Sequence, residues 1–141
     1  MAFCIISKSN YFHNLSLVEN KIGKAKIAVV LKNNAYGHGL LEIAQLASQY
    51  GIEHAVVNTL SEANKIHDLF KTILVLQDSS PSKIKNNIII TINSIDSIKK
   101  LKPGTKVEIK IDTGMNRNGI MTDDLEVVLD IIKKKSLILH G

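Results

Sequence analysis

Lys32 stands where an apolar run, residues 26–31 (KIAVVL), gives way to a polar, glycine-bearing stretch, residues 33–39 (NNAYGHG). A primary amine at the mouth of a buried strand is the group that condenses with an aldehyde once it is neutral, so this position suits a covalent carbonyl-binding lysine. Gly37 and Gly39 let the backbone approach a ligand closely and take positive φ. Tyr36 offers a hydroxyl to an anionic group. The same residues also suit a plain lysine whose stem lies along apolar surface and whose head reaches water. Only G-x-G is present, so the stretch is neither a dinucleotide-binding glycine loop nor a P-loop.

A second cluster, residues 110–119 (KIDTGMNRNG), holds Lys110, Asp112 and Arg117. Arg117 is the sole arginine of a chain that uses lysine for every other fixed positive charge. That choice points to a position needing the planar, always-charged guanidinium with its several donors. Strand alternation sets Val107, Ile109 and Ile111 on one face and Glu108, Lys110 and Asp112 on the other. A polar face near a strand end reads as the lining of a site inside a barrel, or as the wet side of an open sheet.

These residues need a frame, and the hydrophobic pattern supplies one. Strands are expected at 26–31, 54–58, 72–76, 88–92, 106–111 and 137–139, the first buried on both faces. Between them lie helical signals: Leu40, Ile43, Ala44 and Ala47 at helical spacing with Gly51 closing, then a Thr59–Glu62 capping box. Ser80-Pro81 reads as an N-cap and first-turn pair, and Ser94 caps a helix ending before Pro103-Gly104. Thr122, Asp123 and Asp124 open a helix carrying Leu125, Val128, Leu129 and Ile132, and Lys133–Lys135 suit its negative end. A further helix through about Ile22 precedes the first strand. Strand–helix alternation at this spacing is the pattern of parallel β/α units, whose active sites form at the C-terminal strand edge.

Composition narrows the function classes. With 45% hydrophobic and 22% charged residues, 141 residues can bury a core as one domain, and no linker interrupts them. No apolar run reaches the ~18 residues of a membrane span, and no leader is seen. One cysteine, Cys4, excludes an internal disulfide and suggests a cytoplasmic protein. The net charge of +5 comes from scattered lysines without interleaved aromatics, so no nucleic-acid partner is expected. His13, His38, His54, His67 and His140 lack metal-ligand spacing, and no metal is expected.

The run AVVLKNNAYGHG closely resembles the cofactor-lysine motif of the alanine racemase family, with NAYGHG matched without a gap. KIDTGMNRNG resembles the family's second signature, K-x-D-T-G-M-x-R-x-G, Asn118 standing where leucine is common. The resemblance implies an α/β fold, a parallel (β/α) TIM-type barrel, incomplete here with about six of eight strands. It implies that residues 1–141 are the N-terminal part of that barrel domain, with the C-terminal β domain absent. By the same resemblance Lys32 holds pyridoxal 5'-phosphate as a Schiff base and acts as a base, while Tyr36 contacts the phosphate. Arg117 bonds the phenolic oxygen, and Lys110 is a supporting residue, carbamylated to N6-carboxylysine in many members. The family is homodimeric and interconverts L- and D-alanine for cell-wall peptidoglycan synthesis. Its second base is a tyrosine of the other subunit's C-terminal domain. That tyrosine, the ring-stacking histidine and the arginine at the pyridine nitrogen have no counterpart here, and His140 is not that histidine. The 141-residue chain alone is therefore expected not to racemise. The alternative is a non-enzymatic pyridoxal-phosphate carrier of the same barrel type, which lacks the DTGMNR arrangement.

Overall fold

The computed structural model describes residues 4–78 and 84–141. The expected helix start at Ser80-Pro81 lies outside them. Helix α1 (Lys8–Ile22) begins at Ser7, whose hydroxyl accepts from Asn10 N at 3.3 Å, and ends at Gly23. It lies against α3 (Leu40–Tyr50) through Phe12 and Tyr50, whose rings meet edge to face 5.1 Å apart, and through the Tyr50 hydroxyl, which donates to Glu19 at 2.6 Å. The other helices are α4 (Leu60–Ile66), α5 (Ile95–Lys99) and α6 (Leu125–Lys134). The element α2 (Lys32–Tyr36), between the first strand and α3, is a short turn described below.

Six parallel strands form one sheet in sequence order: β1 (Ala28–Val30), β2 (His54–Val57), β3 (Thr72–Val75), β4 (Ile88–Ile92), β5 (Lys106–Ile109) and β6 (Ile138–Leu139). The register aligns Val29, Ala55, Ile73, Ile88 and, one layer on, Val57, Val75, Ile90 and Val107 on the face the helices cover. Each of these side chains is buried. With Ala44, Ala47, Ala63, Ile66, Ile98 and Val128 from the helices they make the core. Burying one such valine or isoleucine contributes roughly 1.5–3 kcal/mol, which is what fixes the register.

The opposite face carries Val30, Val56, Leu74, Ile89, Lys106 and Ile138 at one level, and Thr91 beside Glu108 at the next. It is mostly half-exposed, and β4 alone is buried along its whole length. This corrects the expectation that the first strand is buried on both faces: Val30 is 45% exposed. Among the described strands β1 pairs only with β2, which leaves its inward side half-exposed. Elsewhere the expected strands shorten at their ends without changing place. Thr122–Asp124 form a 3-10 turn feeding α6 instead of its first turn. The sheet is thus an open (β/α) arrangement of six strands, short of the eight that close a TIM barrel.

Candidate functional site

The C-terminal ends of the strands bring the two chemical clusters together. A cavity of about 350 Å³ is lined by Lys32 from the end of β1 and by Lys110 and Arg117 from beyond β5. Asn33, Asn58, Gln77, Asn93 and Asn118, with Leu76, complete its wall. Its size lies within the usual range for small-ligand sites. No carboxylate is among the described lining residues, so three cations face one space. Cations gathered in this way repel one another unless an anion joins them. A larger cavity, about 480 Å³, lies at the other end of β4–β6, by Lys85, Lys102 and Lys106. That is the edge where β/α folds place stability instead of chemistry.

Lys32 is aimed by an unusual backbone. Asn33, Asn34, Ala35 and Tyr36 all have positive φ, between 51° and 56°, so the chain makes a left-handed turn. Each non-glycine residue in that region costs roughly 1–2 kcal/mol, less for asparagine. The turn is held by several bonds of its own. Ala35 N donates to Leu31 O at 2.9 Å, and Gly39 N to Asn34 O at 3.0 Å. Asn34 Oδ1 accepts from Leu40 N at 2.9 Å, starting α3. His38 Nδ1 lies 2.9 Å from Ala35 O; facing a carbonyl, that nitrogen carries the proton. From outside the loop, Asn34 N donates to Glu62 Oε1 at 3.2 Å.

Glu62 does two jobs. Its Oε2 accepts from Asn58 N at 2.9 Å and Thr59 N at 3.2 Å, the capping box expected for α4. Its Oε1 reaches the lysine loop. Partial burial would raise its carboxyl, but the N–H groups of Asn34, Asn58 and Thr59 outweigh that and hold it below the ordinary glutamate range. The sequence signalled the cap and not the second bond. The hint was that a capping box can be satisfied by one carboxylate oxygen, leaving the other for a donor elsewhere.

The second loop closes on itself. Ile120 N donates to Lys110 O at 2.7 Å and Asp112 N to Ile120 O at 3.0 Å, pinching off residues 112–119. Inside the pinch, Asp112 Oδ1 accepts from Gly114 N at 3.0 Å and Asn116 N at 3.1 Å. These N–H groups hold the Asp112 carboxyl below its ordinary range against partial desolvation. Asp112 is therefore a loop-former and does not line the cavity. Lys110 donates to the Asn118 side-chain oxygen, so the one departure from the second signature contacts the lysine of that signature. Gly119 is required: at φ 138°, a Cβ there would sit 2.8 Å from Asp112 N.

Of the four residues singled out, Lys32, Lys110 and Arg117 share the cavity. Tyr36 does not line it; it is 60% exposed, its ring centroid 5.9 Å from Lys32 Nζ. Sequence reasoning missed Glu62 in its second role, and Asn93, whose amide braces the wall by donating to Leu76 O at 2.5 Å.

A parallel β/α sheet that ends its first strand in a lysine and its fifth in a lysine–arginine loop, all over one cavity, defines a barrel-type α/β protein with an amine-bearing, anion-seeking site. Residues 6–141 match the alanine racemase N-terminal domain family, and the chain belongs to it. It is 44% identical over 142 residues to an alanine racemase of a Nitratiruptor species, covering 100% of this chain and 42% of that protein. It is 39% identical over 137 residues to an alanine racemase of Campylobacter concisus, covering 96% and 41%. Among solved structures it is similar to alanine racemase from Corynebacterium glutamicum, with TM-score 0.83 and 27% identity over 95% of this chain and 43% of that one. It is also similar to a histidine racemase from Leuconostoc mesenteroides subsp. sake, with TM-score 0.80 and 30% identity over 94% and 40%. The chain thus spans under half the length of these relatives.

Proposed function

We propose that this chain is the cofactor-lysine portion of an alanine racemase, a pyridoxal-phosphate-dependent enzyme that interconverts L-alanine and D-alanine. The observation that carries it is the shared cavity: Lys32, Lys110 and Arg117, far apart in sequence, face one space. That donor set fits the cofactor, an aldehyde bearing phosphate and phenolate oxygens, because it offers an amine for the carbonyl and fixed positive charge for the oxygens. When bound, pyridoxal phosphate supplies an electron sink for the charge left when the substrate α-proton departs.

The residues divide the work. Lys32 Nζ would hold the cofactor and would move a proton at the substrate α-carbon on one face. Arg117, lining the same cavity, would donate to an anionic oxygen of the cofactor and help hold it. Lys110, tethered by Asn118, adds positive charge beside Arg117; were it carbamylated, it would instead present acceptors to that guanidinium. Tyr36, exposed and with its ring centroid 5.9 Å from Lys32 Nζ, would contact the phosphate. The proposal extends to residues 1–141 as the N-terminal part of a β/α barrel domain, in a protein that carries a separate C-terminal β domain. It extends also to a cytoplasmic homodimer whose partner subunit provides the second proton-transfer group, and to D-alanine supply for peptidoglycan. No helix among the described residues is long and apolar enough to cross a membrane. Racemases named for alanine and for histidine match this segment with TM-scores of 0.83 and 0.80. The choice of alanine therefore rests on the sequence relatives at 44% and 39% identity.

The test is chemical. The chain is incubated with pyridoxal phosphate, reduced with borohydride, and digested for peptide mapping. Label on Lys32 is expected; label confined to other lysines, or none, overturns the assignment.

A further inference from the structure

The left-handed turn of α2 has a prop outside its own loop. The Asn34 N–H donates to Glu62 Oε1 from 28 positions away, and the same carboxylate caps α4 through Asn58 and Thr59. The backbone-to-backbone bonds of residues 33–36 all stay within the loop. Chain segments that hold several non-glycine residues left-handed persist only where surrounding structure over-determines them. Lys32 opens this turn, so the direction of its side chain follows the turn's geometry.

We propose that Glu62 is the positioning residue for Lys32: its carboxylate, bridging the N-cap of α4 and the backbone of Asn34, locks the left-handed turn that carries Lys32 into the cation-lined cavity. The inference rests on the reading of Lys32 as the cofactor lysine. Two donor sets on opposite sides of one carboxylate need two acceptor oxygens. Glutamine has one acceptor oxygen and places an N–H₂ where the other was, so it satisfies the cap or the turn but not both. The charged groups beside this bridge are Glu42 of α3 and Lys65 of α4, which line the same shallow cavity as Asn34 and Glu62. The fixed donors are the backbone N–H groups already named, and they keep Glu62 ionised below the ordinary glutamate range.

The experiment compares Glu62→Gln with Thr59→Ala. Thr59→Ala removes the other half of the capping box, where the Thr59 hydroxyl accepts from Glu62 N at 3.2 Å, and leaves the bond to Asn34 intact. Two signals are read on the whole chain: amide-proton exchange at Asn34, and the rate of borohydride-trapped pyridoxal phosphate labelling at Lys32. Thr59→Ala should lower the melting temperature while both signals stay near those of the unaltered chain. Glu62→Gln should expose the Asn34 amide to exchange and slow labelling at Lys32 tenfold or more. Equal labelling rates in the two variants would overturn the proposal. Should Glu62→Gln not fold, the Asn34 amide shift is followed against pH in the unaltered chain and in Glu42→Gln. A midpoint below the ordinary glutamate range in both supports the bridge, and no titration at Asn34 overturns it. If the unaltered chain fails to label Lys32, the cofactor reading falls, while the Asn34 amide still decides whether Glu62 holds the turn.

Discussion

The loop after β1 sets Lys32 immediately ahead of four successive left-handed residues and leans on a carboxylate in another helix. The loop after β5 carries Lys110 and Arg117 and closes on itself, with Asp112 tying its own backbone and Gly119 admitting the pinch. Both deliver cations to one cavity. The first trades local strain for a direction that a right-handed turn would not give, and so depends on tertiary support. The second uses the short-range bonding of an aspartate to nearby N–H groups and depends mainly on its own residues. A site can thus be assembled from one imposed loop and one self-made loop, and the two should fail differently.

The largest expected effect is at Lys32. Lys32→Ala should abolish labelling by pyridoxal phosphate at this position while unfolding shifts by no more than about 0.5 kcal/mol, since the side chain is only half-buried. Label persisting elsewhere in the cavity would break the division of roles between the loops. Next comes Gly119→Ala, where the clash with Asp112 and the φ of 138° should destabilise by about 1–3 kcal/mol in denaturant unfolding. If the second loop is self-made, this change should loosen cofactor binding yet leave Lys32 reactive.

Acid should act on both loops in the same direction. Glu62 and Asp112 each have a carboxyl held below its ordinary value, so each contributes stability that is present above the unfolded-state pKa. That contribution is lost as pH falls through the lower, folded-state value. A pH titration of amide exchange should show the Gly114 and Asn116 amides losing protection with Asp112, and Asp112→Asn should remove that dependence while leaving Asn34 unchanged. Exchange at both sites changing together in Asp112→Asn would mean that the loops are one cooperative unit. The smallest effect is expected of Asn33→Gly. Glycine relieves a φ of 54° but adds freedom to the unfolded chain, so the two effects should nearly cancel, within about 0.5 kcal/mol by thermal unfolding. A larger gain would mean that the turn stores more strain than asparagine residues usually carry.

Much of this was readable beforehand because the signals are local. The alternation of Ile88–Ile92 and Val107 with helical stretches pointed to a parallel β/α sheet, since those periods persist whatever the partners. Thr59 and Glu62 marked the start of α4, and Ser94 that of α5, through bonds spanning three residues. The left-handed turn was only half signalled. Asn33 and Asn34 tolerate positive φ, but nothing about Ala35 or Tyr36 announces it.

By itself, the sequence determined where the strands lie along the chain and the chemistry available at Lys32, Lys110 and Arg117, because periodicity and side-chain type are properties of short stretches. Only the tertiary structure decided that these three cations share a cavity that Tyr36 stays outside. It also decided that a capping glutamate holds the lysine's turn and that Asn118 holds Lys110. The bond from Glu62 to the turn joins residues 28 positions apart, so it exists only once packing has brought α4 against the first β/α loop.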